Sequence, residues 1–176
     1  MKENDKKAKF TAFYEREADK LFRFCLSRVS DREQARDIVQ EVFTRLWGAY
    51  AEGKGIDNER AFIFTVARNL IIDWYRKNKP ESLDAMFAER NEGLPFEIAA
   101  SGSDKWAEHS AEARIVVEAI KKLDSISQEV VYMRLVEDFS PGEIAKLIGV
   151  TPNTVSVRIN RGVSELRKNL GVSDLS

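Results

Sequence analysis

The chain has 176 residues, 43% hydrophobic and 32% charged, a composition that supports a folded core and excludes wholesale disorder and fibrous architectures. No apolar run approaches the roughly 18 residues of a membrane span, and residues 1–9 are charged without the apolar middle of a signal peptide. A cytoplasmic protein without membrane insertion is expected, and its net charge of −1 is unevenly spread: +3 over residues 1–77, −4 over 78–110 and zero over 111–176.

Residues 1–9 read as a disordered tail. From there the apolar residues Phe10, Phe13, Tyr14, Leu21, Phe24, Cys25 and Val29 fall at the three-and-four spacing of one helix face. Cys25 is the single cysteine, which excludes an intrachain disulfide and fits a reducing compartment. Ser30 with Glu33 three residues on reads as a capping box opening a second helix. Its stripe is Ile38, Val42, Leu46 and Tyr50, with Val39, Phe43 and Trp47 beside it. Gly53-Lys54-Gly55 breaks this helix; it has neither the length nor the Lys-Ser/Thr ending of a phosphate loop. A third helix over 59–77 has the core stripe Ile63, Val66, Ala67, Leu70 and Trp74, leaving Phe64, Arg68, Tyr75 and Arg76 off the core. Residues 10–77 are therefore predicted to form a first small helical domain.

Residues 78–110 lose this periodicity. Pro80, Gly93, Pro95 and Gly102 punctuate a stretch rich in acids, so an acidic linker is predicted, with a helical turn around 83–90. The single histidine, His109, falls here among polar neighbours. With no second His or Cys nearby it cannot be written into a zinc site, and no Ser/His/Asp or Cys/His arrangement forms around it. No metal, cofactor or enzymatic activity is expected.

A second domain is predicted over 111–170, followed by a tail over 171–176. Ile115, Val116, Ala119, Ile120 and Leu123 form one stripe, and Ser125 with Gln128 starts the next helix. Val130, Val131, Met133 and Leu135 have strand propensity, but their spacing, with Glu129 and Arg134 outward, favours helix. Ser140 then caps a short helix with Pro141 at its first position, and Gly149 ends it. Val150 plugs the turn, Thr151 caps the next helix, and Pro152 again stands first. Val155, Ile159, Val163 and Leu166 take its core side. Asn153, Val157, Asn160, Arg161, Ser164 and Lys168 take the opposite side, flanked by Ser156 and Arg158. Amides and guanidinium groups on one helix face suit base edges and phosphates, so this is a predicted DNA-reading helix-turn-helix. The expected fold class is all-α: two small helical domains joined by an acidic linker, the second containing a helix-turn-helix.

Three stretches together resemble one family. They are Asp37-Ile38-Val39-Gln40-Glu41-Val42-Phe43-Thr44-Arg45-Leu46-Trp47, then Phe62-Ile63-Phe64-Thr65-Val66-Ala67-Arg68-Asn69, then Glu143-Ile144-Ala145 with Gly149-Val150-Thr151 and Thr154-Val155. In this order and separation the chain resembles bacterial RNA polymerase sigma factors of the extracytoplasmic-function (ECF) group, in the sigma-70 family, over about residues 10–170. The resemblance implies core RNA polymerase and promoter DNA as partners, an anti-sigma factor as a further candidate partner, and no enzymatic activity.

It further implies that Asp37, Gln40 and Glu41, with Phe43 and Trp47 holding their helix from behind, form the polymerase-binding surface that docks on the clamp helices of the largest subunit, while the second domain meets the flap region. Arg45, Lys54, Phe62, Phe64, Arg68, Asn69, Arg76 and Lys77 would contact and open the −10 element, where unpaired bases stack on aromatics and phosphates meet cations. The loop 51–60 corresponds to the one that pockets a flipped base. Asn153, Thr154, Ser156, Val157, Arg158, Asn160 and Arg161 would read the −35 element. Family members usually carry Trp at Phe62 and a basic residue at Thr65, and often Lys or Arg at Ser156 and Ser at Val157. The rival reading is a helix-turn-helix regulator whose first domain senses a ligand or dimerises.

Overall fold

The structure, a computed structural model, describes residues 3–78 and 111–172, and in the latter the side chains of all but 111–114, 117 and 125. The predicted linker turn over 83–90 and His109 lie outside the described residues. The chain divides into two units, residues 1–79 and 80–176. Among the described residues every regular element is a helix: α1 (Glu3–Val29), α2 (Arg32–Ala51) and α3 (Glu59–Asn78) in the first unit, then α4 (Ala111–Ile120), α5 (Ser125–Leu135), α6 (Pro141–Ile148) and α7 (Pro152–Asn169) in the second. None is long and apolar enough to cross a membrane. The all-α reading holds.

In the first unit each helix packs on the other two. Residues 3–9, expected as a tail, are instead the opening turns of α1. Glu3 and Asp5 complement the positive end of the helix, and the Lys6 ammonium donates to the Tyr50 carbonyl at 2.9 Å. Lys9 forms an ion pair with Glu59 and stands over the Tyr50 ring, so these turns are tied to both ends of the α2–α3 loop.

The start of α2 also differs from expectation. Ser30 has φ 53, in the left-handed region, and its N–H still bonds to the Leu26 carbonyl as α1 ends. The extended residue is Asp31, whose carboxylate accepts from the Gln34 N–H at 2.9 Å, so the cap is Asp31 and not Ser30.

The phase of α3 is rotated from the predicted stripe. Ala61, Ile63, Phe64, Ala67, Ile71 and Tyr75 are buried, whereas Val66, Leu70 and Trp74 are half-exposed. Because α3 packs against both α1 and α2, two faces need apolar residues rather than one. Phe64 meets Phe24 edge-on at 5.0 Å, and the Tyr75 hydroxyl donates to the Arg28 carbonyl. Arg28 is itself buried. Its guanidinium lies 3.6 Å from the Phe24 ring centre and donates to the Phe24 carbonyl and Ser27 hydroxyl, which makes burying that charge tolerable. Buried Glu17 is likewise held by Arg16 at 2.9 Å and, from α3, by Arg60 at 3.4 Å.

In the second unit α5 packs against α4, α6 and α7. That position leaves it little solvent face, which explains why Glu129, expected outward, is buried; Leu135, the last residue of α5, is exposed. Its N-cap is Asp124 rather than Ser125, the carboxylate accepting from the Ser127 N–H at 3.0 Å. Gln128, expected to complete a capping box, turns its amide back onto the carbonyls of Lys121 and Leu123 at 2.8 and 2.7 Å. It thereby satisfies acceptors at the end of α4. Ala119, Ile120, Leu123, Val131 and Leu166 form one core cluster, with Val116, Val136 and Leu170 against it.

Candidate nucleic-acid interface

The helix-turn-helix forms as its punctuation requires. Ser140 caps α6 in a complete capping box with Glu143, and Pro141 occupies the first turn. Gly149 ends α6 at φ 73, a left-handed conformation that a side chain would disfavour. Thr151 then caps α7, its hydroxyl accepting from the Thr154 N–H at 3.2 Å, and Pro152 begins it. Ile144, Ala145, Leu147, Val155 and Leu166 are buried, whereas Ile159 and Val163 are half-buried.

Gly162 carries a constraint absent from the sequence reading. A Cβ there would stand 2.5 Å from Val131 Cγ2, so the close approach of α7 to α5 depends on its hydrogen. No local sequence signal exposes this, because the clashing residue comes from another helix.

The opposite side of α7 is open. Asn153, Val157, Asn160, Arg161, Ser164 and Lys168 are all exposed and share one side at helical spacing. Thr154, Ser156 and Arg158 are half-buried at the flanks. The Thr154 hydroxyl lies 2.9 Å from that of Thr151, and Ser156 donates to the Pro152 carbonyl at 3.0 Å, so both hydroxyls already bond within the first turn. Burial alone would raise the Asp124 pKa. Hydrogen bonds from Ser127 and the Arg161 charge outweigh it and hold that carboxyl below its ordinary value. Arg161 is thus within electrostatic reach of the start of α5 while its side chain remains exposed.

On the first unit, Asp37, Gln40 and Glu41 are exposed along α2. Phe43, named with the polymerase-binding residues as holding the helix from behind, is buried. It meets Tyr14 edge-on at 4.6 Å and Phe10 at 6.1 Å, so it supports that surface from inside the helix pair. Trp47 packs on Phe10 at 5.2 Å while remaining exposed. A surface groove between α1 and α2 opens beside Gln40, lined by Phe10, Tyr14, Phe22, Val39, Phe43 and Trp47.

The residues expected to meet the −10 element are not all placed alike. Phe62, Asn69 and Arg76 recur every seven residues along α3, so they share one side at intervals of about 10 Å. Phe62 is half-buried; Asn69, Arg76 and Lys77 are exposed. Arg68 is half-buried, and exposed Arg45 pairs with Glu41 at 2.8 Å. Lys54, exposed in the loop, pairs with Glu52 at 2.6 Å, which pushes its pKa up. Phe64 differs from the others. Fully buried against Phe24, it is a core residue with no face available to DNA, because α3 turns it towards α1.

The α2–α3 loop is anchored at both ends. Asn58 accepts from the Ala61 N–H at 2.8 Å at the start of α3. Tyr50 is buried with its hydroxyl towards Glu59 but without a well-formed hydrogen bond. Burial first, and then that carboxylate, push the Tyr50 pKa far above its ordinary value, so the phenol stays protonated. These anchors escaped the sequence reading, although acidic residues before Lys6, Lys7 and Lys9 are a recognisable helix start.

Comparison with known proteins bears on both units. A family model described as Sigma-70 region 2 matches residues 13–81, and one described as Sigma-70, region 4 matches residues 113–166. The chain is 34% identical over 160 residues to the ECF RNA polymerase sigma factor SigW of Bacillus subtilis, covering 86% of this chain and 83% of that protein. It is 30% identical over 165 residues to the ECF RNA polymerase sigma factor SigL of Mycobacterium tuberculosis, covering 90% and 87%. Among solved structures, the sigma factor RpoE in complex with the anti-sigma factor NepR from Bartonella quintana matches in fold with a TM-score of 0.62. That match has 22% identity and covers 94% of this chain and 98% of that one.

Proposed function

The chain belongs to the sigma-70 family, as an RNA polymerase sigma factor of the ECF group, and from that premise we propose how its surfaces divide the work of promoter recognition and melting. Core polymerase is the partner of the first unit through the exposed α2 edge, Asp37, Gln40 and Glu41, stiffened from beneath by Phe43. The side of α3 bearing Phe62, Asn69 and Arg76, with Arg45, Lys54, Arg68 and Lys77 around it, holds the −10 strand as it unpairs. Aromatic and cationic groups on one surface suit exposed base faces and phosphates. The open side of α7 enters the major groove at the −35 element, where Asn and Arg match base edges. Nucleotidyl transfer belongs to polymerase, and an anti-sigma protein is a further partner of this chain.

The observation that carries the reading is the uninterrupted exposed row from Asn153 to Lys168 on a helix whose other side is packed and doubly capped. The region 2 match over residues 13–81 disfavours the rival regulator, since a sensing or dimerisation domain has no need of that region.

The test is transcription by full-length protein with core polymerase on linear promoters and on templates mismatched in advance across the −10 segment. Arg161→Ala should weaken initiation on duplex templates, by about 1–3 kcal/mol if its contact is bidentate, and pre-melting should restore little. Asn69→Ala should be rescued more strongly, because the mismatch supplies the opened strand. Equal rescue of both, or rescue of Arg161→Ala alone, would refute the division.

A further inference from the structure

The open row of α7 contains one side chain that neither folding nor hydrogen bonding explains. Val157 is 60% exposed, while the other members, Asn153, Asn160, Arg161, Ser164 and Lys168, are polar or charged. Its neighbours one turn away along that row, Asn153, Asn160 and Arg161, offer it no apolar partner. A β-branched residue also gains nothing from helix propensity at an exposed site, where Ala, Lys, Gln or Glu would be better. The adjacent Ser156 donates its hydroxyl proton to the Pro152 carbonyl from the flank of the helix, so the side chain standing outward at this turn is the hydrocarbon of Val157.

Resting on the reading of α7 as the helix that enters the −35 major groove, we infer that Val157 reads the C5 methyl of a thymine. The major-groove edges of G, C and A present hydrogen-bonding groups, and only T adds a methyl, the natural match for an isopropyl group. Asn153 on one side and Asn160 with Arg161 on the other bracket Val157 with hydrogen-bonding groups. The row therefore specifies an apolar contact flanked by polar ones. An A·T pair on either strand meets this requirement, and a G·C pair does not.

The test uses the full chain bound to core polymerase, on a promoter that this holoenzyme transcribes. Each thymine of the −35 element, on both strands, is replaced singly by deoxyuridine, which deletes the methyl and keeps the pairing. Binding to each duplex is then measured for wild type and Val157→Ala. Val157 is exposed, so the variant should fold, and its thermal melting is checked against wild type.

At one thymine, wild type should lose about three- to fivefold in affinity, the loss for uncovering a single methyl. Val157→Ala, whose single methyl covers less of it, should show a smaller loss there, and the two proteins should agree at every other thymine. Any effect of uracil on DNA stiffness falls equally on both proteins and cancels. If no thymine shows a methyl effect that depends on residue 157, or the element contains no A·T pair, the inference is overturned. Scrambling the whole −35 element separates the two levels. If scrambling weakens initiation and the methyl comparison is flat, only the Val157 contact fails. If scrambling has no effect, the reading of α7 fails with it.

Discussion

Gly162→Ala isolates the contact that sets how closely the DNA-reading helix lies on its support. The added Cβ would stand 2.5 Å from Val131 Cγ2, 3.5 Å from Ser127 Cβ and 3.9 Å from Leu123 Cδ1. Carbon atoms pack best at roughly 3.5–4.0 Å, so the first contact must open by about 1 Å. Val131 is fully buried and stiff at χ1, which makes displacement of α7 from α5 the available relief. Overpacking of this kind costs about 1–3 kcal/mol, while replacing a helical Gly by Ala returns about 1 kcal/mol. The net expectation is a destabilisation of about 1 kcal/mol, within a range of about 0–2 kcal/mol, and each kcal/mol lowers the melting temperature of the second unit by roughly 4–8 °C. Calorimetry of the full chain, with hydrogen exchange at α5 and α7 amides to assign the transition, reads this directly. The same substitution in a Val131→Ala background should be neutral or stabilising, because the obstructing methyl is gone. A stabilising Gly162→Ala in the wild-type background, or an equal cost in both backgrounds, would refute the reasoning.

Two further outcomes are expected. Changing Asp37 and Glu41 together to Arg reverses charge at exposed positions of α2, so the protein should keep its thermal stability while co-purification with core polymerase falls; unchanged recovery with a folded variant would remove that edge from the docking surface. Burial raises the Glu59 pKa, but the hydrogen bond from Lys9, the facing Tyr50 hydroxyl and the charges of Lys9 and Arg16 lower it more strongly, so it lies below the ordinary 4.5. A depressed carboxyl stabilises the fold above its unfolded pKa and loses that contribution as pH falls through the folded value. Glu59→Gln should therefore be less stable than wild type at about neutral pH, with the gap closing as the solution is acidified through the carboxylate range; a gap that stays constant with pH would show that the carboxylate charge contributes nothing.

What the sequence determined by itself is local chemistry. Ser140, Pro141, Gly149, Thr151 and Pro152 specify a helix, a left-handed stop and a second helix through bonds spanning four residues or fewer. The open row of α7 followed from periodicity because that helix has one packed side and one free side. The three stretches that carry the family resemblance were legible for a similar reason, as short continuous segments. Periodicity misled where a helix is packed on more than one side. Glu129 is buried in α5, which three helices surround, and Phe64 turned out to be core because α3 faces both α1 and α2. The choice of Asp31 over Ser30 as a cap rested on which residue the end of α1 left in the left-handed region. Lys6 and Lys9 against Tyr50 and Glu59, and Gly162 against Val131, join residues far apart in the chain. Those contacts exist only once the helices have packed, and so the tertiary structure alone decided them.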